Sequence, residues 1–332
     1  MTEPNISAMI VFRNEESYIQ TCLESLINQT YPKNKYEIVL VDGMSDDHSR
    51  NIVEKIINDY KNKHSDGLRF QLLTNEKKLL ASGWNMAIRH AFGEYVVRID
   101  AHAKAEPDFI KTAVETIQAH PDAVCVGGKL QTKAMTKQGE LISMVLSSPF
   151  GIGNSKFRYS DKAQYVDTVA FGLYRKAVFE QVGCFDESFV RNQDNNMHAR
   201  IRESGGKFYY DPRIKSVYYS RDSYKKMCRQ GFLNGKWNII GLKKNKGSVS
   251  LRHLIPLFFV CSLVILSIGA YFYSSIGFVL IAELILYMTC ALCAALSKTK
   301  NIKNVLIMWI LFPMLHISYG CGSLISILKG GR

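Results

Sequence analysis

The stretch Tyr95-Val96-Val97-Arg98-Ile99-Asp100-Ala101-His102-Ala103 guides the interpretation of the rest of the chain. Its β-branched run predicts a buried strand, which ends in two side chains that can bind metal, Asp100 and His102. Residues at i and i+2 of extended backbone point to the same side. Ligands of open α/β sheets bind outside the carboxyl ends of the strands. The stretch therefore predicts a site for a divalent cation and a diphosphate. Asp46-Asp47-His48 repeats the D-x-H pattern but does not directly follow a strand.

Apolar runs and amphipathic segments alternate on both sides of this stretch. Strands are predicted over 7–12, 36–41, 68–73, 95–99 and 123–127, with helices between them. A longer strand is predicted over 166–174, with short strands over 207–210 and 216–219. This alternation indicates right-handed βαβ units and an α/β fold with a Rossmann-like, mostly parallel sheet flanked by helices.

The chain becomes strongly apolar near Leu254. Three segments are long enough to cross a bilayer, over 254–273, 276–296 and 305–328. Basic residues flank the first segment and separate the second from the third: Lys243, Lys244, Lys246 and Arg252, then Lys298, Lys300 and Lys303. By the positive-inside rule these flanks are cytoplasmic, so we expect a multi-pass protein of the cell membrane with a cytoplasmic catalytic domain. Pro313, Gly320 and Gly322 leave a re-entrant third segment open.

Composition sets the domain plan and the partner classes. The 332 residues carry a formal net charge of +13, which suits nucleic acid, anionic lipid or phosphorylated substrates. The charge is not one block and apolar spans follow, so nucleic acid is not expected as a partner. We expect a domain over 1–245, with a nucleotide-binding half to about 128 and an acceptor half over 129–245, and then a membrane region over 246–332.

Two more carboxylates are candidates, and each has two interpretations. Asp42 follows a strand and precedes Gly43, so it can contact the base or ribose of a nucleotide, or it can cap a turn. Asp194 lies between amides just before a helix, so it can serve as a general base for an acceptor hydroxyl, or as an N-cap.

A basic, aromatic-ended helix is predicted just before the first apolar segment. Its polar and aromatic residues can bind diphosphate and acceptor, or they can lie at a membrane surface and attract anionic lipid. The residues are Arg221, Arg229, Gln230, Lys236 and Trp237.

Six stretches in this order resemble inverting family-2 glycosyltransferases of the GT-A fold. They are IVFRNEE (10–16), VDGMSDD (41–47), GWNMAI (83–88), RIDAHA (98–103), NQD (192–194) and RQGFLNGKW (229–237). The resemblance covers about residues 5 to 245, and it is strongest to membrane-anchored enzymes of bacterial exopolysaccharide assembly, of the succinoglycan-biosynthesis type.

The resemblance implies roles for individual residues. Asp194 matches the catalytic base, although Gln193 stands where relatives have Glu, which should leave the pKa of Asp194 lower than in those relatives. Asp100 and His102 match the metal-binding motif, with Mn²⁺ or Mg²⁺ as the cation. Nucleotide contacts are implied for Phe12, Arg13, Glu15, Asp42, Asn85 and Asp100, and diphosphate or acceptor contacts for Arg221, Gln230, Lys236 and Trp237.

We therefore expect transfer of one sugar, with inversion, from a nucleotide-diphosphate donor such as a UDP-sugar to a hydroxyl of a lipid-linked or glycan acceptor. A processive synthase is not expected, because Lys236 and a wider spacing replace the Gln-x-x-Arg-Trp motif. Two alternatives stay open at this point: transfer onto polyprenyl phosphate itself, and a non-catalytic nucleotide-sugar-binding subunit of a polysaccharide assembly complex.

Overall fold

The computed structural model describes residues 5–134, 136–152, 155–219 and 223–330. Within these residues the chain forms two compact units. The sheet unit comprises Met1–Gln131 and Lys156–Tyr219, and the helical unit comprises Thr132–Ser155 and Ser220–Arg332. The boundary between these two units differs from the predicted boundary between a domain over 1–245 and a membrane region over 246–332. That predicted division by function stays a prediction.

One nine-stranded sheet contains the strands of the described residues. They are β1 (Ile6–Phe12), β2 (Tyr36–Asp42), β3 (Arg69–Thr74), β4 (Tyr95–Asp100), β5 (Ala103–Ala105), β6 (Ala123–Lys133), β7 (Gln164–Val166), β8 (Leu173–Arg175) and β9 (Lys207–Tyr219). Their order is β3-β2-β1-β4-β8-β6-β9-β5, with β7 beside β9. The four strands β3, β2, β1 and β4 pair in parallel, and β8 is antiparallel to β4. The predicted α/β class with a mostly parallel sheet is confirmed.

Helices cover both faces of this sheet because the strands alternate their side chains between two cores. Two helices that belong to the helical unit, α5 (Lys137–Leu146) and α6 (Pro149–Ile152), interrupt the helices of the sheet unit in chain order. The helices of the sheet unit are α1 (Ile19–Ile27), α2 (Ser49–Lys63), α3 (Leu80–His90), α4 (Phe109–Ala119), α7 (Val178–Val182) and α8 (Gln193–Glu203). In β1, Ile10 and Phe12 pack with α1, α2 and α4, whereas Met9 and Val11 pack with α3, α7 and α8.

Two strand predictions differ from the structure. The single strand predicted over 166–174 is wrong, because β7 and β8 are separated by a loop in which Phe171 has a φ of 47°. The two short strands predicted over 207–210 and 216–219 are one continuous strand, β9. Pairing with both β7 and β5 supports this strand along its length.

The helical unit contains α5 (Lys137–Leu146), α6 (Pro149–Ile152), α9 (Tyr224–Lys244), α10 (Ile255–Phe272), α11 (Ser274–Leu296) and α12 (Ile302–Leu328). The last three helices are long and apolar enough to cross a membrane, as the sequence predicts. Pro313 lies inside α12 without ending it.

Candidate active site

The carboxyl ends of β1, β2 and β4 lie side by side in the sheet unit. The parallel register pairs Phe12 with Asp42 and Val11 with Asp100. This is the edge at which parallel α/β sheets bind ligands. A cleft of about 610 Å³ opens there, lined by Val11, Phe12, Arg13, Glu15, Gly43, Asn75, Lys78, Leu79, Leu80, Asp100, Ala101 and His102.

The loops after β1 and β2 hold each other in place at this cleft. The backbone N–H of Asn14 donates to Ser45 Oγ at 3.1 Å, and Asn14 Oδ1 accepts from the backbone N–H of Asp46 at 2.8 Å. Asn14 and Met44 both have a φ of 56°, a left-handed conformation that is unusual for a long side chain such as Met44. Backbone in such conformations is concentrated at functional sites, where the surrounding contacts maintain it.

Asp100 and His102 both line the cleft, and Glu15 lies beside them. His102 Nδ1 is 3.1 Å from Glu15 Oε1, and the three side chains are about a quarter exposed. In the part of the chain that the structure describes, no group of three or more His, Cys, Asp or Glu could hold a metal ion. The donor set therefore fits a cation whose remaining ligands come from a substrate phosphate and water, as is usual for Mg²⁺. Glu15 fits the carboxylate that commonly orients a metal-binding imidazole.

Asp42 is buried and its carboxylate already has partners. Its Oδ1 accepts from the backbone N–H and the hydroxyl of Ser45, at 2.9 and 2.7 Å, and its Oδ2 is 3.4 Å from Arg50. Gly43, rather than Asp42, belongs to the residues that line the cleft. These are the contacts expected of an Asp42 that caps a turn. Contact of Asp42 with the base or ribose of a nucleotide stays a prediction.

Arg98 connects the end of β4 to the first turn of α8. Its guanidinium forms a two-pronged ion pair with Asp194, in which Nη2 is 2.7 Å from Oδ2, and it lies 3.7 Å from Asp100 Oδ1. Burial opposes ionisation of Asp194, but the charge and hydrogen bonds of Arg98 outweigh it and hold the pKa of Asp194 below its usual range. A single arginine thus links the candidate base to the candidate metal ligand.

Two buried groups support this ion pair. The guanidinium of Arg98 lies over the buried ring of Trp84, 5.1 Å from its centroid. One turn after Asp194, the ring of His198 is held between Thr168 Oγ1 and Tyr174 Oη, both at 2.7 Å. Burial lowers the pKa of His198 to about 3, which keeps the imidazole neutral although the nearby Asp194 charge acts in the opposite direction.

The other predicted site residues have different surroundings. Asn85 is buried and exchanges hydrogen bonds of 2.8 and 2.9 Å with the backbone of Phe185, so it fixes the segment that leads to α8. Gln230, Lys236 and Trp237 lie on α9 of the helical unit. Arg221 is outside the described residues. Their roles in binding diphosphate or acceptor stay predictions.

Sequence reasoning gave no role to Arg98, Trp84 or His198. A signal for Arg98 was present, because it precedes Asp100 by two residues and therefore shares its side of β4. His198 follows Asp194 by four residues on α8, one helical turn. The contact between Arg98 and Asp194 joins residues 96 positions apart, and no local pattern indicates it.

Comparison with known proteins identifies the class. The model of glycosyl transferase family 2 matches residues 7–183, and the chain belongs to this family. It is therefore a family-2 glycosyltransferase with a GT-A fold, as the resemblance implied.

Two similar relatives align over most of their lengths. One is the dolichyl N-acetyl-α-D-glucosaminyl phosphate 3-β-D-2,3-diacetamido-2,3-dideoxy-β-D-glucuronosyltransferase of Methanococcus voltae, 33% identical over 81% of this chain and 84% of that protein. The other is the succinoglycan biosynthesis protein ExoA of Rhizobium meliloti, 26% identical over 77% of this chain and 76% of that protein. By their names, the first relative transfers a sugar to a dolichyl phosphate-linked sugar and the second takes part in succinoglycan biosynthesis.

Two solved structures support the fold. The mannosyltransferase PcManGT from Pyrobaculum calidifontis, in complex with GDP-Man and Mn²⁺, has a TM-score of 0.66 at 18% identity and covers 100% of this chain and 89% of its own. TarS residues 1–349 of S. aureus, in complex with UDP-GlcNAc, has a TM-score of 0.51 at 17% identity and covers 98% of this chain and 92% of its own.

Proposed function

We propose that the protein transfers one sugar, with inversion, from a nucleotide-diphosphate donor to a hydroxyl of a lipid-linked or glycan acceptor in cell-surface polysaccharide synthesis. The observation that supports this proposal best is the Arg98 bridge between Asp194 and Asp100. Through this bridge one arginine positions both the proposed base, Asp194, and the proposed metal ligand, Asp100, at the ligand-binding edge of the sheet. A UDP-sugar is the donor that we expect.

Asp194 acts in this proposal as the general base. Its low pKa keeps it ionised at neutral pH, and its side chain is 37% exposed, so an acceptor hydroxyl can approach it. Arg98 fixes the orientation of the carboxylate. Asp194 accepts the hydroxyl proton while the acceptor oxygen attacks the anomeric carbon opposite the departing diphosphate.

Asp100 and His102 are the residues that would hold Mn²⁺ or Mg²⁺. When bound, such a cation supplies positive charge to the diphosphate leaving group. Both side chains face the cleft beside Glu15, which supports this assignment.

The three apolar helices support a membrane-anchored enzyme, and we propose that its catalytic part is cytoplasmic. Lysines and Arg252 next to these helices favour that orientation by the positive-inside rule. Anchoring raises the local concentration of a lipid-linked acceptor.

A donor screen tests the proposal. Membranes that contain the protein are supplied with UDP- and GDP-sugars and lipid-linked acceptors, and release of nucleotide diphosphate is measured with and without Mn²⁺. We expect cation-dependent release, and a loss of about 10²–10⁴-fold in Asp194→Asn. Binding of a donor without turnover on any acceptor would instead support the non-catalytic subunit.

A second acceptor class is favoured by one observation: Asp194 is already engaged by Arg98. Polyprenyl phosphate is anionic and needs no base, so an enzyme that uses it would keep most of its activity in Asp194→Asn. The same variant therefore separates the hydroxyl acceptor from the phosphate acceptor.

A further inference from the structure

The last helix, α12, is packed differently from α10 and α11. About 39% of an apolar 18-residue stretch of α12 is buried inside the protein, against 11% for the corresponding stretch of each of the other two helices. One face packs against protein through residues such as Leu311, Phe312 and Leu315. The opposite face carries an exposed apolar stripe at helical spacing, formed by Ile302, Leu306, Ile310, Ile317 and Leu328. This helix is therefore two-sided, with protein along one side and an apolar surface along the other.

Helices α10 and α11 form a hairpin that turns at Tyr273. Ser262 Oγ donates to Glu283 Oε1 at 2.5 Å near the middle of the two helices, which aligns them side by side. Three of the contacts of α12 with this hairpin locate it along the hairpin. They are Trp309 Nε1 to the Met288 carbonyl at 2.8 Å, His316 Nδ1 to Tyr287 Oη at 2.7 Å, and Gly320 against the Pro256 carbonyl, where a Cβ would overlap it.

The distances of these three contacts from the turn of the hairpin show how α12 runs relative to the hairpin. At 1.5 Å per residue, Met288, Tyr287 and Pro256 lie about 22, 21 and 26 Å from the turn of the hairpin. Between Trp309 and Gly320, α12 itself advances by about 16 Å. If α12 ran alongside the two helices of the hairpin, its contacts would spread over that distance along them. The three contacts instead differ by only about 5 Å in their distance from the turn. Helix α12 thus crosses the hairpin near the end opposite the turn.

The packing of α9 against α12 is a second observation, and it argues against an α12 that crosses the bilayer. Helix α9 runs in the same direction as α12, because Cys228 contacts the Met314 carbonyl and, further along both helices, Gly235 lies against the Tyr319 carbonyl. Gly235 and Gly322 are packed so closely against the partner backbone that neither glycine could carry a Cβ. Exposed charges lie on α9 on both sides of this contact, among them Arg229. If α12 crossed the bilayer, it would carry this charged helix into the hydrocarbon core, which is strongly unfavourable.

The charge of the molecule is concentrated in this unit. The helical unit holds 16 Lys and Arg against 3 Asp and Glu, a net charge of +13 that equals the charge of the whole chain. The sheet unit is therefore neutral. Anionic phospholipid headgroups are the surface that complements an apolar stripe with this excess of basic residues.

We propose that α12 lies in the plane of the membrane, in the leaflet on the side of α9, with its exposed apolar stripe among phospholipid acyl chains. The hairpin of α10 and α11 is then the part that crosses the bilayer. The chain crosses twice rather than three times, and its carboxyl end stays on the side of α9. This inference does not depend on the identity of the sugar, the acceptor or the base.

Topology mapping of the full-length chain tests the proposal. Three versions carry one short epitope tag each: at the amino end, in the turn between Tyr273 and Ser274, or after Arg332. Antibody binding is measured on sealed vesicles of both orientations. We expect the tag after Arg332 on the same face as the amino-terminal tag, and the turn tag on the opposite face.

The decisive contrary result is a tag after Arg332 on the face opposite the amino-terminal tag, because three crossings require it. If the turn tag prevents membrane insertion, the two terminal tags still decide between two and three crossings. Both terminal tags leave the helices unchanged, so misfolding of α12 does not enter the comparison.

Discussion

Replacing Arg98 with Met should separate the orientation of Asp194 from its charge state. Met keeps much of the volume over Trp84 but removes the two-pronged ion pair. Hydrogen bonds to charged groups contribute about 1.5–3 kcal/mol. Because Asp194 is more than a third exposed, solvent screening reduces this to about 1–2 kcal/mol. A loss of that size in the transition state lowers kcat by roughly 5- to 30-fold.

The pH profile gives the second readout. Arg98 holds the pKa of Asp194 below its usual range, so the carboxylate needed for catalysis is lost only at low pH. Without Arg98 the pKa of Asp194 rises, and the acidic limb of the kcat profile should move to higher pH. The assay is nucleotide diphosphate release at saturating donor between pH 4.5 and 8.

Two variants serve as controls. Arg98→Lys keeps the charge but loses the two-pronged geometry, so its acidic limb should move less than that of Arg98→Met. Arg213→Met removes an arginine–aspartate pair elsewhere in the sheet unit and should leave both readouts unchanged. An acidic limb that stays in place in Arg98→Met, with normal kcat, would refute the role of this pair in catalysis.

Three further predictions concern the metal, the buried histidine and the helix packing. His102→Ala should raise the Mn²⁺ concentration for half-maximal activity by at least about tenfold, and an unchanged Mn²⁺ titration would remove His102 from the site. His198 has a folded pKa of about 3, below its unfolded value, so its contribution to stability is complete above pH 6.5 and falls by about 1.4 kcal/mol per unit below that. Urea unfolding of His198→Gln should lack this decrease between pH 6.5 and 5.5. Gly235→Leu should lower the unfolding temperature in detergent by several degrees, because the side chain overlaps the α12 backbone, whereas Gly277→Leu meets only an ordinary 3.7 Å contact and should not.

Local patterns in the sequence were sufficient for the fold class and the apolar segments, although not for the bounds of β7, β8 and β9. Alternating strands and helices predicted the α/β class because each βα unit carries its own periodicity. The register places Asp100 and Asp42 at the same edge of the sheet, as parallel pairing of adjacent strands requires. The three apolar segments were visible because the hydropathy of a span is a property of about 20 consecutive residues.

Contacts between distant residues were decided by the tertiary structure alone. Arg98 reaches Asp194 only because β4 and α8 come together, and this pair sets the pKa of the candidate base. The apolar composition of α12 likewise shows that this helix is able to cross a membrane. It does not show how α12 is oriented relative to the hairpin of α10 and α11. Its contacts with Met288, Tyr287 and Pro256 orient it across the hairpin, because helix packing depends on which faces meet and not on how apolar each helix is.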